Sequence, residues 1–115
     1  MIKLFKRDKS SATVPPRFDV VIEAVRFTPD GSLQTARIYE RRGPVWSDRL
    51  LIGRADLIRR IRKGEKVVIG ARKPYLANTF EAFAAVRLAQ NDDKEVLTSM
   101  VENDHSDSLP QAPRF

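Results

Sequence analysis

Cationic and aromatic side chains interleave at two places in the 115-residue chain, in a pattern suited to contact with a nucleic-acid strand. In the first, Arg37, Tyr39 and Arg41 alternate with Ala36 and Ile38 and so share one face of an extended segment; Arg42, Trp46 and Arg49 follow closely. In the second, Arg72 and Lys73 precede Tyr75. Aromatic rings are platforms on which bases stack, at ~1–3 kcal/mol per base, while cations track the phosphates. Arginine dominates the cations, 14 against 7 lysines, and its planar fork suits phosphates and base edges. The same residues have a plainer use. Tyr39 and Trp46 serve equally as barrel core or rim, and arginines as a solvated face.

Catalytic and metal chemistry find little support. Asp19 and Glu23 are spaced to share a strand face, but with no histidine or orienting group beside them they read as surface charges. Asp92, Asp93 and Glu95 read as a helix start, and His105 as a lone tail residue. There is no cysteine, so thiolate ligands and nucleophiles are excluded, and no glycine-rich phosphate cradle is present. The expectation is a non-catalytic protein with no metal and no cofactor.

Charge is distributed unevenly. Residues 1–90 carry 19 Lys or Arg against 9 Asp or Glu, a net +10, and residues 91–115 carry 2 against 6, a net −4. A basic body followed by an acidic tail points to a polyanionic partner, most often nucleic acid. The N-terminal MIKLFKRDK has too small an apolar face for stable membrane binding, so a membrane is not an expected partner. No signal-peptide core or spanning run is present, and the chain reads as cytoplasmic.

The elements that must position these residues can be read in order. Residues 1–16 form a basic arm ending in the SSATVPP linker, residues 17–90 a β-barrel domain, and residues 91–115 an acidic tail with a helix over 92–103. Within the barrel, Arg17–Phe27 is a long strand that is apolar on both faces in turn, so it is either covered on both sides or bent by a bulge to serve two sheets. A Pro29-Asp30-Gly31 turn leads to the strand Leu33–Arg41, and Val45–Ile52 is a third strand. Asp56 caps a short helix with Leu57, Ile58 and Ile61 inward and Arg59, Arg60, Arg62 and Lys63 as a wet face; Gly64 ends it. Lys66–Gly70 and Phe80–Ala89 complete five strands, with Phe83 outward and free to cover a tail or a protein partner.

Strand, strand, strand, short helix, strand, strand is the order of the OB-fold, a five-stranded Greek-key barrel, with an SH3-like barrel as the alternative. The run Ile61-Arg62-Lys63-Gly64-Glu65-Lys66-Val67-Val68-Ile69-Gly70-Ala71-Arg72 resembles the helix-to-strand junction of bacterial single-stranded DNA-binding proteins. Two features depart from that family: the first strand lacks its asparagine-led, glycine-containing opening, and the tail finishes Pro113-Arg114-Phe115. In an OB-fold, ligands cross strands 2 and 3 and meet the loop joining strands 4 and 5. That placement implies an interface of Arg37, Tyr39, Arg41, Arg42, Trp46 and Arg49 with Arg72, Lys73 and Tyr75.

Two functions follow as expectations. The first is a barrel that binds single-stranded DNA or RNA, in preference to duplex, through this face, with the acidic tail competing for it. The second is an adaptor that docks on a protein partner through the Val96, Leu97, Met100 and Val101 stripe of helix 92–103. The sequence sets no oligomeric state.

Overall fold

The computed structural model describes residues 12–76, 79–101 and 105–115, so the expected arm at residues 1–11 lies outside the described residues. Among those described, the chain forms β1 (Val20–Phe27), β2 (Leu33–Arg42), β3 (Val45–Trp46), β4 (Leu50–Gly53), α1 (Arg54–Arg62), β5 (Val67–Arg72), β6 (Phe80–Asn91) and β7 (Lys94–Thr98). The fold is mostly β: one curled sheet in the order β3-β2-β1-β5-β6-β7, with β4 also paired to β2. Seven strands replace the expected five. The third expected strand divides into β3 and β4 around residues 47–49, and β7 is added in the tail.

Pairings between neighbours in sequence are antiparallel, as short connections require, and the sheet is joined across its middle by a parallel β1–β5 pair. The bulge allowed for in the first strand is present: the register with β2 shifts between Ile22 and Ala24, at Glu23. Before the bulge, Val20 to Ile22 lie against Val67 to Ile69. Beyond it that edge of β1 passes to the C-terminal residues, through a bridge from Val25 to Arg114. A strand that serves two neighbours in turn needs apolar residues on both faces, and Val20, Val21, Ile22 and Val25 are all fully buried.

The core gathers Ile22, Ile38, Ile52, Leu57, Ile69, Val86, Leu97 and Leu109, so it draws on β1, β2, β4, α1, β5, β6, β7 and the tail. Helix α1 contributes Leu57 and Ile58. Asp56 is not its cap. The N-cap position is Gly53, because β4 runs directly into the helix, and Asp56 lies in the first turn, where its charge still suits the helix dipole. Gly64, at φ +98°, ends the helix as expected. The cationic face is only partly wet: Arg60 reaches Glu40 at 2.9 Å with a fifth of its side chain exposed.

Gly70 stands where β5 and β6 come closest. A Cβ there would intrude on the Glu81 carbonyl oxygen and lie 3.2 Å from the Ala82 Cα, both backbone atoms that cannot swing aside. Gly70→Ala is therefore expected to cost ~1–3 kcal/mol, about 4–8 °C in melting temperature per kcal/mol for a domain of this size. Circular dichroism melts check it; an unchanged midpoint would show that the strands part freely here.

The tail differs most from expectation. Where a helix over 92–103 was expected, the described residues 92–101 form none: β6 turns at Asp92 and Asp93 into β7, with Asn91 facing Lys94 and Asp92 at φ +55°, a region that aspartate tolerates. Val96, Leu97 and Thr98 are consecutive and all buried, because β7 is covered on both faces. Such a run has no period-2 alternation to distinguish it from a helix segment. The C-terminal residues are packed as well: Leu109 and Ala112 are buried, and beside β7 Ser99 N donates to Ser108 O at 2.9 Å while Ser108 N donates to Leu97 O at 2.8 Å. Among the described residues no helix is long and apolar enough to cross a membrane.

Candidate nucleic-acid interface

Strand alternation places Arg37, Tyr39 and Arg41 on the face of β2 opposite Ile38, as the pattern predicts. Arg42 falls on the other face. It pairs with Glu40 at 2.8 Å, and Glu40 in turn meets Arg60 of α1, so Arg42 belongs to the helix side and leaves the expected set. The hydrogen bond from Arg42, joined by Arg60, outweighs burial and holds the Glu40 carboxyl below the usual carboxylate range.

The rings expected as platforms are largely committed to one another. Trp46 packs against Phe18 at 5.9 Å and Phe80 at 4.9 Å, and Phe80 packs against Tyr39 at 5.0 Å. Arginines stack outside this row: Arg41 over Trp46 at 4.6 Å and Arg72 over Tyr39 at 4.6 Å. Tyr39 is 3% exposed, so it is a wall and not a platform. Phe80, absent from the sequence-based set, holds the row together across the curl of the sheet.

Beside this row lies a cleft of about 720 Å³, lined by Glu23, Tyr39, Asp48, Arg49, Arg72, Lys73 and Tyr75, among others. It brings together five of the nine expected residues, and its size suits a small ligand or one unit of a chain. Glu23, at the β1 bulge, organises one side. It accepts hydrogen bonds from Arg37 Nε at 2.9 Å, the Tyr39 hydroxyl at 3.2 Å and Arg49 Nη2 at 3.2 Å. Arg49 Nε also donates to the Tyr39 oxygen at 3.0 Å. That bond, with the Glu23 charge beside it, raises the Arg49 pKa above an already high value and keeps its cation permanent. Read as a surface charge in the sequence, Glu23 is instead a half-buried clamp; the cross-strand register that makes it one is not visible in a linear pattern.

The opposite side of the cleft is the turn after β5. Lys73, Pro74, Tyr75 and Leu76 form a tight turn closed by Leu76 N donating to Lys73 O at 3.2 Å. Pro74 suits the second position, and the third position needs a positive φ that glycine or asparagine normally supplies. Tyr75 occupies it at φ +64° with its side chain fully exposed. A bulky residue held in the left-handed region with nothing packed on it is a cost to folding that function can explain. Lys73 and Arg72 are exposed beside it, and Lys73 makes no ion pair among the described residues. Trp46, packed on Phe80, and Arg41, stacked on Trp46, are not among the residues that line the cleft.

Comparisons of this chain with protein-family models, with curated proteins and with solved structures found no match.

Proposed function

We propose that the protein binds single-stranded nucleic acid, DNA or RNA, without catalysis, with one base stacked on Tyr75 and its phosphates drawn to Arg72, Lys73 and Arg49. The observation that carries this reading is Tyr75: an exposed ring, in a strained turn, at the mouth of a cleft whose cations outnumber its carboxylates by three to two. Stacking needs an unpaired base face, which favours a single strand over a duplex. The position also supports an OB-like mode of binding, since the cleft lies where β2 meets the loop between the strands before and after residues 73–79. The adaptor reading has less to rest on, because the stripe that was to dock is divided: Val96 and Leu97 are buried in β7, and Val101 beyond it is half exposed.

Fluorescence anisotropy with labelled single-stranded and duplex oligonucleotides, at two salt concentrations, is the test. Tyr75→Ala is expected to weaken single-strand binding by about tenfold or more, and Lys73→Ala to weaken it uniformly and lower the salt slope by about one. Trp46→Ala is expected to act through stability instead of through the ligand. Absence of salt-sensitive binding by the native protein would overturn the proposal.

A further inference from the structure

The cationic face does not end at the cleft. Glu23 clamps Arg49 on the cleft side and Arg37 on the other, and beyond Arg37 lies Arg26. Over these two arginines the chain lays its own ring: the Arg26 and Arg37 guanidinium carbons stand 4.8 Å and 5.0 Å from the centre of Phe115. The ring is brought there as a strand stub on the edge of β1 that β5 leaves after the bulge. Val25 N donates to Pro113 O at 2.8 Å, Phe115 N donates to Val25 O at 3.0 Å, and Arg26 Nε donates to Phe115 O at 3.1 Å. The core anchors of the segment lie upstream, at buried Leu109 and Ala112, with Arg114 stacked on Phe27 at 4.3 Å, whereas Phe115 itself is only partly buried and is not part of the core.

Resting on the reading above, we propose that the place Phe115 occupies is a second base-binding subsite, filled in the free protein by that ring. A guanidinium stacks on a base as it does on a phenyl ring, and the two arginines supply charge for the adjoining phosphate. A strand whose first base stacks on Tyr75 then runs past Arg49 and Arg37 and displaces Phe115 at its far end. The subsite accounts for two cations on one ring at the edge of the face, where one would hold the tail.

Phe115→Ala is expected to tighten binding of a labelled oligonucleotide of eight to ten nucleotides by about three- to fivefold, the release of a cation–π contact, and to leave a mononucleotide unchanged. Phe115→Leu keeps apolar bulk, guards against a folding defect, and is expected to show the same gain. Adding Arg37→Ala to Phe115→Ala is expected to abolish the gain. If the native protein binds the oligonucleotide and both Phe115 variants bind it equally or more weakly, the subsite is overturned while the cleft stands. A gain that extends to the mononucleotide, or survives Arg37→Ala, also overturns it. No binding by the native protein overturns both proposals.

Discussion

Asp107→Ala is expected to destabilise the protein by ~3–5 kcal/mol, a large share of the 5–15 kcal/mol that ordinarily separates folded from unfolded chains. Asp107 is in the tail, yet its side chain is only 3% exposed and it ties three distant elements together. Its Oδ2 accepts from the Leu33 amide at 2.8 Å and from Arg54 Nε at 2.8 Å, and its Oδ1 from the Leu97 amide at 2.9 Å and Arg54 Nη2 at 3.1 Å. The start of β2, the start of α1 and the middle of β7 thus meet at one carboxylate. Removing it leaves two buried amides and a half-buried guanidinium without their acceptor, which costs more than the bonds themselves contributed. Asp107→Asn fares little better, because its amide nitrogen must face an N–H donor at one of the two positions. Thermal and urea melts measure the loss; a midpoint within a degree or two of native would show that the tail is held by its apolar contacts alone.

The same carboxylate gives the protein an acid limit. Burial raises its pKa, but hydrogen bonds from Arg54 and from the Leu33 and Leu97 amides outweigh that and leave it below the ordinary carboxylate value. A depressed native pKa means that the unfolded chain takes up the proton first. Its stabilising contribution is therefore complete above the unfolded value near 3.9, and is lost as pH falls through that value and on through the lower native one. Glu40 and Asp30 are shifted the same way, so the native protein has several such groups. Urea midpoints measured from pH 6 downward are expected to fall less steeply for Asp107→Asn than for the native chain. Parallel curves would show that Asp107 titrates alike folded and unfolded.

Local pattern made much of the curled sheet legible. Alternation in Leu33–Arg41 placed Arg37, Tyr39 and Arg41 together, the glycine after α1 ended it, and the mixed faces of Arg17–Phe27 allowed for a bulge, which falls at Glu23. Alternation also argued against Arg42, whose even position puts it with Glu40, though its charge suggested otherwise. What the pattern could not supply was register. Whether Glu23 meets Arg37 and Arg49, or Phe80 reaches Tyr39, depends on which strand lies beside which, and the parallel β1–β5 pair is invisible to any short window. Composition misled in the tail for a related reason. Six acidic residues among residues 91–115 look like a solvated end, but one of them is the buried Asp107, and the few apolar residues are the ones that pack.

Deleting residues 91–115 is consequently expected to abolish folding, where charge alone had suggested a tighter hold on a polyanion. The deletion removes β7 from the edge of β6 and takes Val96, Leu97 and Leu109 out of the core, each fully buried and worth ~1.5–3 kcal/mol. With them go Asp107 and the residues that cover β1 beyond its bulge. These losses together match or exceed the whole stability of an ordinary domain. The truncated chain is expected to lose near-ultraviolet circular dichroism and amide dispersion in its NMR spectrum, and any oligonucleotide binding it retains would be that of an unfolded polycation, with no dependence on Tyr75. A truncated chain that melts cooperatively near the native temperature would mean that residues 12–90 form a complete core, and that the tail's contacts with β1, β2 and β6 are accessory. Electrostatic competition by the tail is then best sought in single substitutions that leave the fold intact, since in this chain the acidic segment and the scaffold are the same residues.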